Sequence, residues 1–130
     1  MSGGLTADDF LIDGDSASDR QAIVSYFTDG DWMIFAGTVA ETNEDAEGTG
    51  AGLLIVTFDD TSSSIKYNGV DTTSLSTGTN NLDGLTLGAR YTDEQHGDLY
   101  LHEILCYNSL SAPNLATVES ILKTKWGFTY

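Results

Sequence analysis

The sequence predicts an all-β protein, an antiparallel β-sandwich that ends in one α-helix. First, fourteen glycines and a single proline separate short segments rich in β-branched and aromatic residues. Second, Leu53–Val56 is a continuous apolar run, typical of a strand at the centre of a two-layer core. Third, helical periodicity is confined to the last twenty residues. With 130 residues, the chain is expected to form one domain spanning positions 1–130.

Strands and tight turns account for most of the chain. Ser64–Tyr67 alternates polar and apolar residues, as a half-exposed strand does, and Asn68-Gly69 after it predicts a hairpin turn, because both residues tolerate positive φ. Glu41–Gly52, rich in acids and glycine, is expected to be a flexible loop. The predicted strands are Asp9–Ile12, Gln21–Phe27, Trp32–Ala40, Leu53–Phe58, Ser63–Tyr67, Thr72–Ser76, Leu85–Arg90 and Leu99–Tyr107.

A helix is predicted over about 112–126. Ser111 suits the N-cap and Pro113 suits the first turn, where a missing N–H costs nothing. Lys123 and Lys125 place positive charge in the last turn, and Gly127 ends the helix. We expect the helix to cover one end or edge of the sandwich with its apolar face, formed by Leu115, Val118, Ile121, Leu122 and Trp126.

Charge and cysteine content limit the possible partners and compartments. Twenty acids against five bases give a net charge of −15, which repels phosphate and anionic lipid, so neither nucleic acid nor a membrane is expected as a partner. The single Cys106 excludes an internal disulfide, and within a predicted strand it is expected to be a small buried hydrophobe. The sequence shows no leader pattern, so we expect synthesis in a cytoplasm without a signal peptide.

Several motifs in the second half resemble one known family. They are Leu85–Arg90, Leu101–Asn108 with Leu110-Ser111, Lys125-Trp126-Gly127, Val56–Phe58 and Tyr67–Val70. Together they resemble the laminin-G-like, concanavalin-A-like jelly-roll modules found in phage structural proteins and bacterial surface proteins. Phe10–Asp15 and Asp31–Ala36 resemble the first strands of that family less closely. The resemblance implies a jelly-roll sandwich in which the span between Ala40 and Leu53 is shorter than usual, so the sheet that carries glycans in lectin-type relatives is trimmed.

No catalytic residues are predicted. Retaining glycosidases of this architecture pair carboxylates on one strand, and the usual E-x-D-x-(x)-E pattern is absent. Glu103 lies alone inside its predicted strand, with Arg90 at the end of the preceding one. We therefore expect a structural ion pair between Arg90 and Glu103.

Two binding sites remain as alternatives to ordinary turn and packing roles. Asp13, Asp15 and Asp19 are spaced loosely like a calcium loop but lack the bidentate glutamate and central glycine of an EF-hand. Turn chemistry is favoured there, with calcium as the alternative and no other cofactor expected. Tyr91, Tyr100 and Trp32 are the aromatic residues that could stack on a glycan.

The function expected from these features is non-enzymatic. The leading hypothesis is a structural protein of a virion, specifically a phage capsid decoration (cement) subunit that binds and stabilises the outer capsid surface. Its partners would be the major capsid protein or another virion protein, and further copies of itself in a homo-oligomer. The alternative is a glycan-binding, lectin-like adhesion module of a virion or cell surface.

Overall fold

A computed structural model describes residues 9–25, 31–45, 51–97 and 100–130. It is mostly β, with two antiparallel sheets and one C-terminal helix. The chain divides into two compact units, Met1–Leu99 and Tyr100–Tyr130. Among the described residues, no helix is long and apolar enough to span a bilayer.

Both sheets belong to the first unit. The larger consists of β1 (Asp9–Asp13), β2 (Ala22–Ser25), β3 (Asp31–Phe35), β4 (Val39–Asp45) and β8 (Thr86–Leu87), in the spatial order β4-β3-β2-β1-β8. The smaller consists of β5 (Leu54–Thr57), β6 (Ser63–Tyr67) and β7 (Val70–Leu75), in sequential order, with a single 3₁₀ turn at Asp60–Ser62 before β6.

The two sheets pack against each other through one hydrophobic cluster, which confirms the sandwich character. Ile23, Trp32 and Ile34 of the larger sheet meet Ile65 of the smaller one, and all four are buried. The Trp32 and Tyr67 ring centroids lie 5.6 Å apart. At about 25 cal/mol per Å² of apolar surface removed from water, this interface is the main stabilising element of the unit.

The larger sheet is buried on its second face as well. Phe10, Ala22 and Val24 form a separate buried cluster there, with Met33 and Phe35 packed against it. Because successive side chains of a strand point to opposite faces, β3 serves both clusters alternately. This explains why its sequence, Asp31-Trp32-Met33-Ile34-Phe35, is apolar at four consecutive positions.

Thr77 joins the two sheets by hydrogen bonds. Its carbonyl accepts from the backbone N–H groups of Ala36 (3.0 Å) and Thr38 (2.7 Å), in the turn between β3 and β4. Its fully buried hydroxyl lies 2.8 Å from the hydroxyl of Ser63, the first residue of β6, which is also fully buried. Its own N–H donates to the carbonyl of Asp60. One residue thus satisfies the backbone of both layers where they meet.

The hairpin turn at Asn68-Gly69 is confirmed. The two residues have φ values of 47° and 87° and connect β6 directly to β7. Positive φ at both central positions is what a two-residue hairpin with the native strand twist requires.

Other strand predictions differ from the structure. Trp32–Ala40 is not one strand, because Gly37, at φ 106°, reverses the chain between β3 and β4. Residues 41–45, expected to be loop, belong to β4, whereas 46–50 lie outside the described residues. The predicted strand Gln21–Phe27 is β2 as far as Ser25, and its last two residues also lie outside them. Leu85–Arg90 shortens to β8.

The predicted strand Leu99–Tyr107 is also wrong over its described part. Residues 100–107 carry no strand assignment, and Leu99 lies outside the described residues. Cys106 is exposed there rather than buried. The alternation of this segment is typical of a strand, but a strand forms only when a partner satisfies its backbone groups.

The second unit contains α1 (Ala112–Trp126), within the predicted bounds. Ser111 takes the extended N-cap conformation without a side-chain capping bond, and Pro113 lies in the first turn. Gly127 ends the helix in the left-handed conformation at φ 75°, and both its N–H and that of Phe128 donate to the carbonyl of Lys123. That the helix covers the sandwich stays a prediction.

Candidate functional surfaces

A buried ion pair occupies the start of the first loop of the sandwich. The Asp13 side chain is fully buried at the end of β1, and one of its oxygens accepts from the Arg20 guanidinium, whose side chain is 12% exposed. The same carboxylate accepts from the backbone N–H of Gly14 (2.9 Å) and of Tyr91 (3.0 Å). Such additional bonds are what make burial of a charge tolerable.

Three aromatic rings surround the Arg20 guanidinium. Its central carbon lies 4.9 Å from the ring centroid of Tyr91, 5.2 Å from that of Phe35 and 5.8 Å from that of Phe10. Cation–π attraction at a desolvated site of this kind is worth about 2 kcal/mol. The charge of Arg20 is therefore held internally, so this cluster has a structural role.

The three acids considered as calcium ligands are not gathered into a site. Asp13 is bonded to Arg20, and Asp19 accepts from the backbone N–H of Asn81 (2.9 Å). The Asp15 side chain packs against Gly84, where an added Cβ would lie 2.5 Å away. Among the described residues, no group of three or more histidine, cysteine or acidic side chains could hold a metal ion. The acids of this loop act in turn and packing roles.

Arg90 and Glu103, expected to pair, fall in different units, and each has another partner in its own. Arg90 donates through Nη1 to the side-chain carbonyl of Gln95 (3.1 Å). Both oxygens of Glu103 lie 2.9 Å from Lys125 Nζ, and one also accepts from the indole N–H of Trp126 at 2.9 Å. The hydrogen bond from Lys125, followed by that from Trp126, holds the pKa of Glu103 below its ordinary value. The pairing of Arg90 with Glu103 stays a prediction.

The Glu103 contacts hold the segment 100–107 against α1 and leave an apolar groove between them, called here the C-terminal groove. Its volume is about 160 Å³, with Glu103 and Lys125 at its rim. Ile121 is 59% exposed on one wall, and Tyr107 is 53% exposed on the other. The apolar lining consists of Leu105, Tyr107, Val118, Ile121 and Leu122.

A second apolar surface lies at the edge of the larger sheet and is called here the β8 edge. Leu85 and Leu87 are about half-exposed, and Leu82 is nearly so. Leu87 is paired with Ile12, so both residues lie on the same sheet face, and Ile12 packs against the core between the sheets. The larger sheet has five strands and the smaller one three, so the inner face of the larger sheet is left partly uncovered at β8.

Charge is distributed unevenly between the two units. Residues 100–130 hold two acids, Glu103 and Glu119, and two bases, Lys123 and Lys125, so they are neutral overall. The remaining eighteen acids and three bases lie in residues 1–99, which therefore carry the whole net charge of −15. Sequence analysis took the acidic surface to be uniform, because the acids were not counted against the unit boundary.

Two of the three aromatic residues considered for glycan binding are committed elsewhere. Trp32 is 4% exposed in the core, so its ring cannot stack on a sugar. Tyr91 is partly buried over Arg20 and also lies 5.6 Å from Arg90. Tyr100 is 92% exposed and remains accessible.

Comparison with protein-family models, with curated proteins and with solved structures gives no match to this chain. Function is therefore inferred from the residues and their geometry.

Proposed function

We propose that this protein is a non-enzymatic structural subunit of a virion, a capsid decoration protein whose laminin-G-like jelly roll binds the outer capsid surface and stabilises it. The observation that carries the proposal is the β8 edge, an apolar surface on an otherwise strongly acidic unit. Leu85 and Leu87 are 48% and 49% exposed at the edge of a buried sheet. Exposed apolar side chains that continue a core face are typical of protein interaction sites.

The chemistry of the unit defines the partner. An apolar contact surrounded by a net charge of −15 fits a protein surface that presents apolar side chains among lysines and arginines. β8 is also the terminal strand of its sheet, and no strand of the described residues pairs with its outer side. Its backbone groups are therefore suited to pairing with an extended segment of a shell protein, as in strand addition.

Binding of the purified protein to undecorated shells tests the proposal. The wild type should bind stoichiometrically, and Leu87→Asp should weaken binding by at least about tenfold, since a lost apolar contact and a buried unpaired charge together exceed 1.4 kcal/mol. Val39→Asp is the matched control, because Val39 is 50% exposed on β4 at the opposite edge of the same sheet.

The thermal stability of both variants should be measured alongside binding, so that misfolding is separated from lost contact. Absence of stoichiometric binding by the wild type would refute decoration. Equal binding by Leu87→Asp and the wild type would refute the β8 edge as the contact surface.

A glycan-binding adhesion module is the second candidate, and Tyr100 supports it, because an aromatic ring exposed to 92% can stack on a sugar. A glycan array with Tyr100→Ser beside the wild type separates the two proposals. Saturable binding of one glycan, abolished by this substitution, would favour adhesion over decoration.

A further inference from the structure

We propose that two copies of this chain associate through their C-terminal units, with the Tyr100 ring of each copy inserted into the C-terminal groove of the other. The inference assigns a surface to the homo-oligomer expected from the sequence, and it stands whether or not the protein binds a capsid. It commits to a second copy of this chain as the occupant of the groove.

The dimensions of the groove fit one aromatic ring. Its volume is about 160 Å³ and its walls are formed mainly by leucine, valine and isoleucine. An apolar cavity of roughly 150 Å³ lined by such side chains stays dry and accepts benzene. A ring that enters the groove would cover Ile121, now 59% exposed, and Leu105, now 47% exposed.

The ring that could enter belongs to the same unit. Tyr100 is 92% exposed, the highest value among the large hydrophobic side chains of the described residues. Tyrosine binds well in such a position because its ring is rigid and its hydroxyl can stay at the wet rim. In a two-fold arrangement the same contact forms twice, so each copy supplies one ring and one groove.

The charge distribution favours a second copy over contact elsewhere on the molecule. Two units with a net charge of −15 repel each other, whereas residues 100–130 carry no net charge. Self-association through the neutral unit therefore avoids bringing the most acidic surfaces into contact. The charges at the rim, Glu103 and Lys125, already neutralise each other by direct hydrogen bonds, so burial of the groove leaves no unpaired charge there.

Sedimentation velocity of the full chain over a concentration series from micromolar to millimolar tests the inference. The wild type should shift from monomer to dimer, and raised salt should strengthen the dimer, because it screens the remaining repulsion between acidic units. Tyr100→Ser should raise the dissociation constant at least about tenfold, the usual loss for an aromatic anchor of an interface. Tyr100→Phe should retain the dimer, because the ring is what fills the groove.

Ile121→Glu places a charge on the groove wall and should also give a monomer, with circular dichroism as a check that α1 still forms. Val70→Ser is the control, because Val70 is 50% exposed on β7 of the acidic unit and should leave association unchanged. A wild type that stays monomeric throughout the series would overturn the inference. So would a dimer that Tyr100→Ser does not weaken, or one that Val70→Ser weakens equally. If Ile121→Glu fails to fold, the pair Tyr100→Ser and Tyr100→Phe still decides the question.

Discussion

Replacement of Arg20 by methionine would leave a buried carboxylate without its counter-charge. Methionine keeps most of the apolar volume beside Phe10 and Phe35, so the change removes mainly the charge and its hydrogen bond. The Asp13 side chain is 0% exposed and that of Arg20 is 12% exposed, so water cannot take over the role of the guanidinium. Removal of one partner from a buried pair costs about 3–5 kcal/mol.

The lower end of that range applies here, because the backbone N–H groups of Gly14 and Tyr91 still donate to Asp13 in the variant. We therefore expect Arg20→Met to lower the free energy of unfolding by about 3 kcal/mol. With roughly 3–4 °C per kcal/mol for a domain of this size, the melting temperature should fall by about 10 °C. Arg20→Lys keeps the charge but loses the planar stacking on three rings, and it should cost about 1–2 kcal/mol.

Urea denaturation followed by circular dichroism and by fluorescence of the buried Trp32 would measure these losses. The double variant Asp13→Asn, Arg20→Met removes both charges, so it should be more stable than the sum of the two single losses predicts, by at least about 1 kcal/mol. A loss below about 1 kcal/mol for Arg20→Met, or additive losses in the double variant, would show that the pair does not stabilise the fold as argued.

Three further predictions concern single positions. Gly78→Ala should destabilise the protein more than Gly127→Ala when their melting temperatures are compared, because a Cβ at Gly78 would lie 2.5 Å from the Ala36 carbonyl oxygen, whereas none at Gly127 meets an atom within 4 Å; the shared positive φ alone costs roughly 1–2 kcal/mol. The pKa of Glu103 is lowered from 4.5 by its lysine partner first and its tryptophan partner second, so its stabilising contribution is present above pH 4.5 and is lost as the pH falls through the lowered pKa. Acid unfolding of Glu103→Gln should lack this component, and identical acid transitions would contradict the assignment. Cys106, exposed in the second unit, should react with a thiol reagent in the native protein as fast as in urea, and strong protection would contradict its exposure.

Local signals predicted the elements that local chemistry determines. Asn68-Gly69 forms its turn because both residues accept positive φ, and α1 ends at Gly127 because glycine accepts the left-handed conformation. The turn at Gly37 was missed because no proline or asparagine marks it. Its geometry depends instead on the distant carbonyl of Thr77, which accepts two of its N–H groups.

The candidate sites depended on contacts that spacing does not encode. Asp13 was weighed as a calcium ligand because three acids lie close together in sequence, but Arg20, seven positions later, takes its carboxylate. The available signal was an acid directly after the apolar run Phe10–Ile12, which indicates a buried carboxylate in need of a cation. The exposed leucines of the β8 edge could not be predicted, since they result from the unequal size of the two sheets.

The Thr77 junction has a consequence for how the sandwich opens in solution. Residues 37–39 are exposed, and a surface turn ordinarily exchanges its amide hydrogens within moments through local fluctuation. The amides of Ala36 and Thr38 donate to a carbonyl whose residue is fully buried between the layers. Their release requires the smaller sheet to separate from the larger one, so both amides should exchange as slowly as those of β3. A solvent-facing turn would then report the cooperative opening of the whole sandwich.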